Sequence, residues 1–224
     1  MAAYANNAVM VDKTLRVQAD AHGLTQVADV SAMDDQDIYD TWWPTWPRKD
    51  IILDQSTSNE DNGTFPNLND YAAATGVGCF REPSGTPLRF QFLDSLDPDS
   101  PVLGWPGEGY GELWSTLDNS LHDTYWIAVA STQNAALFSA FRDASKLPLT
   151  QKAHPTIVAE PGTHYVAFVW SDGDNLSWHQ VGRCWSTRWW ASPDRGKVSM
   201  GWGINPCSRD MGQTNLEYIY ETAS

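Results

Sequence analysis

The chain has 224 residues, 42% of them hydrophobic, enough for one domain with a substantial core. A formal net charge of −14 argues against nucleic acid and anionic membranes as partners, leaving neutral, cationic or metal-bound ones. Twelve Trp are many for this length; most belong in a core, but flat apolar rings also stack on sugars, which raises carbohydrate binding.

In chain order, short strand-like runs alternate with amphipathic ones. The stretch 25–31 reads as a strand and 32–43 as a helix with an acidic start, stopped by Pro44 and Pro47. The stretch 48–55 reads as helical, followed by a polar loop. A helix over 68–75 closes at Gly76, and 77–80 is the second strand. Next come a helix (87–96), a strand ending at Trp105, a helix (111–121), a strand (125–131) and a helix (132–145) with Thr132 as its N-cap. An irregular connection over 147–163 leads to a fifth strand (164–171), a helix (175–190), a sixth strand (197–202) and a largely helical end.

Six strands alternating with helices predict a parallel α/β fold. An open doubly wound sheet and a (β/α) TIM-like barrel both satisfy the pattern. A complete barrel needs eight units and about 250 residues, so a barrel here would be incomplete. Residues 1–14 are expected to stand apart as an N-terminal segment, with 15–224 as one partial domain.

Cys79, Cys184 and Cys207 allow at most one disulfide and show no zinc-ligand spacing. The sequence contains no GxSxG, P-loop, HExxH or GxGxxG after the first strand. It shows neither a signal peptide nor a membrane-spanning run.

In parallel α/β folds ligands bind at the carboxyl ends of strands. The third, fifth and sixth strand ends combine acids with Trp and Gly: Trp105, Glu108 and Glu112; Trp170, Asp172, Asp174 and Asn175; Trp202 and Asn205. Glycoside hydrolysis needs two carboxyls beside an aromatic surface, and these residue types supply them. Asp172 or Asp174 is one expected carboxyl, and Glu108 or Glu112 its partner. Trp105, Trp170 and Trp202 are the expected sugar-facing rings, and Asn175 and Asn205 the amides for hydroxyls. His179, within two turns of Asp174, is a further candidate for the same pocket. In a simpler reading the "SDGDN" turn caps a helix, with Asp174 as cap and Asp172 as the free carboxylate. No cofactor is expected, although a divalent cation at Asp172 and Asp174 fits their oxygens. The EF-hand loop is excluded, because Ser177 and Arg183 stand where Gly and Glu are required.

The stretch "YVAFVWSDGDNLSW" resembles the GxGYxYP putative glycoside hydrolase family, whose members run a strand into a Ser-Asp-Gly-Asp-Asn turn. Segments 67–80, 100–112, 130–141 and 195–206 are similar to further motifs of the family, in the same order. The Gly-x-Gly-Tyr-x-Tyr-Pro signature that names the family is absent from this chain. The resemblance implies a barrel-like fold, carbohydrate hydrolysis and an extracellular location. A noncatalytic or degenerate carbohydrate-binding module is the main alternative. A metal-dependent polysaccharide deacetylase is another, although it requires an HxxxH that this chain lacks.

Overall fold

The computed structural model describes residues 14–55, 68–105, 110–129, 132, 134–146, 148–151, 153, 156–170, 175–176, 178–182 and 184–223. Its elements in order are α1 (Arg16–Ala21), α2 (Asp35–Trp42), β1 (Ile52–Gln55), α3 (Asn69–Thr75), β2 (Gly78–Phe80) and α4 (Pro87–Asp94). They continue with β3 (Ser100–Trp105), α5 (Tyr110–Leu121), β4 (Thr124–Ala128), α6 (Ala135–Ala140), β5 (Phe168–Trp170), β6 (Met200–Trp202), α7 (Ser208–Met211) and α8 (Gln213–Thr222).

Most of these follow from local chemistry. Asp34 starts α2 with a reciprocal cap: its carboxylate accepts from Asp37 N at 2.8 Å, and the Asp37 carboxylate accepts from Asp34 N at 3.2 Å. Asp34→Ala should therefore lower stability by about 1 kcal/mol, read as an earlier urea midpoint at unchanged slope. Thr86 caps α4 with Pro87 behind it, and Gly76, at φ +70°, closes α3 in a left-handed turn.

Three expectations fail for physical reasons. The stretch 25–31 is irregular and exposed except at half-buried Val30, and no strand among the described residues pairs with it. The first strand is instead β1, inside the stretch that reads as helical; its Ile52 and Leu53 are fully buried on opposite sides of the sheet. A short continuous apolar run has no period to separate strand from helix, and the sheet decided it. The helix expected over 132–145 shortens to α6, and Thr132 does not cap it. The Asp70 carboxylate on α3 caps it instead, accepting from Ala136 N at 2.9 Å.

Strands β1 to β4 form one parallel sheet in the order β2-β1-β3-β4, with Ile52 opposite both Gly78 and Val102. A barrel keeps its strands in chain order, with β2 between β1 and β3, and carries its helices on the outside only. Here β1 is central and both faces are covered. Trp43, Trp46 and α4 pack over Ile52, Phe80 and Val102. Residues from α3, α6 and α7 pack over Leu53 and Leu103 on the other side. Right-handed crossovers require this: β1 to β2 runs one way along the sheet and β2 to β3 to β4 runs back, so the connecting helices change face. The four strands thus form an open doubly wound sheet, and the barrel expectation is corrected for them. No closed barrel occurs among the described residues.

Strands β5 and β6 form a separate parallel pair. The helix expected over 175–190 is a single wide turn, Trp178–Gly182, followed by irregular chain. Trp190 instead joins Cys184 and Ile219 in a small core beneath α8. No described helix is long and apolar enough to cross a membrane.

Candidate functional site

The carboxyl ends of the strands meet. Asn205, three residues past β6, donates from Nδ2 to the carbonyl of Ala128, the last residue of β4, at 2.9 Å. Its Oδ1 accepts from Cys207 N at 2.8 Å, and its main-chain N–H donates to His179 Nε2 at 3.4 Å. That bond leaves the ring proton of neutral His179 on Nδ1. Asn215 Nδ2 donates to His179 O at 3.0 Å, and Gln180 Nε2 donates to Met211 O at 2.7 Å. The segment after β5 is thereby tied to α7 and α8. Leu176 is fully buried in the core with Leu53 and Leu103.

The aromatic candidates contact each other. Trp170 stacks on Trp189 with ring centroids 5.1 Å apart and meets Trp202 edge-on at 4.8 Å. Trp202 in turn meets Trp190 edge-on at 5.2 Å. Beside them Trp170, His179, Cys184, Trp190, Trp202 and Ile219 line a cleft of ≈ 270 Å³, counting the part open to solvent. Trp105 ends β3 in the neighbouring sheet, half-buried, 6.1 Å from Trp126.

The structure thus brings Trp170, Trp202, His179 and Asn205 together, and places Trp105 at the end of another strand. Asn175 is half-buried just before Leu176. Asp172, Asp174 and Glu108 lie outside the described residues. Glu112 falls in α5, and its side chain also lies outside them. Both amide ends of buried Asn205 are engaged within the protein, so its visible role is to brace β4 against β6. Asn205→Ala would leave the Ala128 carbonyl and the Cys207 N–H without these partners. It should cost about 1–3 kcal/mol, measurable by denaturant unfolding.

Charge chemistry elsewhere was not visible in the sequence. Asp54, Arg89 and Asp118 form a buried triad joining β1, α4 and α5. Arg89 Nη1 lies 2.8 Å from Asp54 Oδ2, and Arg89 Nε lies 3.0 Å from Asp118 Oδ2. The contacts are close but poorly aligned: neither Asp54 oxygen has a hydrogen-bond partner of good geometry among the described residues. Burial therefore outweighs Arg89, and the Asp54 carboxyl is pushed up to about 6. An acid directly after the apolar run Ile51–Leu53 was the only hint available.

Burial also pushes the thiols up, Cys79 and Cys207 to about 12 and Cys184 to about 11, so all three are protonated at neutral pH. None is in a disulfide. No group of three or more His, Cys, Asp or Glu suited to a metal ion occurs among the described residues.

These features define an open parallel α/β domain whose strands present their carboxyl ends on one side. Residues 162–224 match the GxGYxYP putative glycoside hydrolase C-terminal domain, a region that includes β5, residues 171–175, β6 and both final helices. The chain is similar to the crystal structure of a putative hydrolase from Bacteroides thetaiotaomicron, with a TM-score of 0.74 and 23% sequence identity over 97% of this chain. That likeness shows the fold, and the chain spans only 41% of that protein's chain. No curated protein matches the chain.

Proposed function

We propose that this chain is a glycoside hydrolase-like domain acting on a glycan, with paired carboxylates at the carboxyl ends of its strands. The observation that carries the reading is the family match over 162–224, which contains the turn bearing Asp172 and Asp174. The geometry around that turn supports it. In sequence this stretch lies between Trp170, which ends β5, and the buried Leu176, and Asn205 holds the β6 end against the β4 end. In sequence, Glu108 is three residues past the end of β3, the strand that pairs with β4. In this reading Asp172 or Asp174 is one carboxyl and Glu108 or Glu112 the other. One protonates the leaving oxygen, while the second activates water or attacks the sugar. Trp105, Trp170, Trp202, Asn175 and His179 would border the sugar, and Asn205 would position the others. Residues 15–224 would act as one domain, with an extracellular location and no cofactor. The mechanism does not depend on barrel closure.

The test is hydrolysis of a glycan panel by the purified protein and its Asp172→Asn, Asp174→Asn, Glu108→Gln and Glu112→Gln variants. At least one Asp variant and the Glu108 or Glu112 equivalent should lose about a hundredfold or more in kcat/KM with folding intact. Hydrolysis unchanged in all of them would refute the carboxylate assignment. Binding without turnover by the unmodified protein would move the reading to a noncatalytic module.

A further inference from the structure

Trp170 and Trp202 are register partners across β5 and β6, and each ends its strand. Their rings meet at 68°, and Trp202 meets Trp190 at 76°. The cleft beside them is therefore a corner between upright rings. It is not a flat platform of the kind on which a pyranose lays its face. The corner is also fixed in advance. Trp190 Nε1 donates to Thr222 Oγ1 at 2.8 Å, and the Arg195 guanidinium lies 4.4 Å from the centre of the Trp190 ring. Trp189 stacks on Trp170. A ligand entering here meets rings already held in place.

The lining is apolar. Cys184, Ile204 and Ile219 join the three indoles, and His179 is the one strongly polar side chain among the described lining residues. That imidazole is itself buried, and its Nε2 accepts from Asn205 N. The cleft is also small. It measures ≈ 270 Å³ with its open part included, below the roughly 300–1,000 Å³ of pockets that enclose a drug-sized ligand. It has room for part of one sugar.

We infer that this cleft takes a methyl group carried on the sugar ring, as in an N-acetyl or a 6-deoxy sugar. The inference rests on the glycan reading of the site. The hydroxyls of a sugar are the parts that this lining excludes, because entry strips them of water with one imidazole at most in exchange. A methyl group has no such bond to lose and gains contact with rings on more than one side. Asp172, one of the proposed carboxyls, is two residues past Trp170 in sequence. A methyl seated beside Trp170 would thus select which sugar of a chain is presented to them.

Saturation-transfer difference spectra and tryptophan fluorescence titrations of the purified protein test this with matched sugars. N-acetylglucosamine is set against glucose, and L-fucose against L-galactose. The methyl-bearing member of at least one pair should bind about tenfold tighter or more, with its methyl protons receiving the strongest transfer. The pair that shows the preference identifies the acetyl or the deoxy sugar as the source. Trp202→Ala should abolish the preference. If that variant does not fold, Ile204→Thr, which puts a hydroxyl into the lining, replaces it and should reduce the preference severalfold. Trp185→Ala, at an exposed indole outside the cleft, should leave it intact. Equal binding within both pairs overturns the methyl assignment and leaves the glycan reading standing. A preference that survives folded Trp202→Ala or Ile204→Thr unchanged overturns it too. Binding of none of the four sugars overturns the inference, and the glycan reading falls with it only if the glycan panel is also left uncleaved.

Discussion

Gly104→Ala is expected to destroy the sheet. Gly104 sits on β3 directly opposite Asp54 on the central strand, with φ at +153°. A Cβ built there would lie 1.6 Å from the Asp54 main-chain oxygen, far inside any contact distance. The clash is with backbone, so no side-chain rotation relieves it, and β1 and β3 must part. Losing that pairing separates the two halves of the sheet, at a cost beyond about 4–5 kcal/mol. That is most of the roughly 5–15 kcal/mol holding a domain of this kind together. The measurement is a thermal melt, with Gly162→Ala as control. Gly162 also has positive φ, +78°, but nothing within 4 Å, so its alanine variant should lose only about 1–2 kcal/mol to backbone strain. Equal melting of the two variants would refute the close-approach argument.

Arg89→Met should be nearly as damaging at neutral pH. It leaves Asp54 and Asp118 facing each other in a buried site without their cation, a loss of about 3–5 kcal/mol. The loss should shrink on acidification, because protonated carboxyls no longer need the arginine. In the unmodified protein Asp54 works against stability as pH rises. Its folded-state value of about 6 stands above the ordinary 3.8. Below about 4 the carboxyl is neutral in both states and costs nothing. Between about 4 and 6 the unfolded chain gives up the proton while the folded one retains it, so stability falls with rising pH by roughly 3 kcal/mol in all. Above about 6 that slope ends. Asp54→Asn should remove this part of the pH dependence, and Asp118 would remain against Arg89 Nε. The check is unfolding free energy from pH 4 to 7 for the unmodified protein and both variants. An Asp54→Asn profile parallel to that of the unmodified protein would show that Asp54 ionises normally.

The sequence made the alternation of elements legible, because α2 and α4 begin at capping Asp34 and Thr86 and α3 ends at Gly76. It left the first strand ambiguous, because the apolar run at Ile51–Leu53 has no period of its own. Strand order could not be read at all. The pairing of Ile52 with both Gly78 and Val102 is a long-range choice, and a barrel and an open sheet share the same alternation. The strand ending at Trp170 was legible, although it runs only from Phe168 to Trp170 and not over 164–171, and the polar stretch after it lies outside the described residues. The helix expected after it was lost to the tryptophans, whose mutual packing outweighs local helical preference. The buried triad escaped because nothing near Asp54 announces a partner 35 residues away on another helix. Arg89 looks like an ordinary surface position within α4 until α5 covers it.

The central place of β1 also bears on how the chain assembles as it is made. Ile52 leaves the ribosome well before either of its neighbours. It must wait for Gly78 to form one side of the ladder and for Val102 to form the other. Until then a strand whose Ile52 and Leu53 are fully buried in the finished fold has an unpaired edge and two uncovered faces. Such long-range pairing folds slowly, and the nascent chain is exposed to aggregation in that interval. Expression of this domain should therefore depend on chaperone supply and on translation speed between residues 55 and 105 more than on the stability of the finished fold.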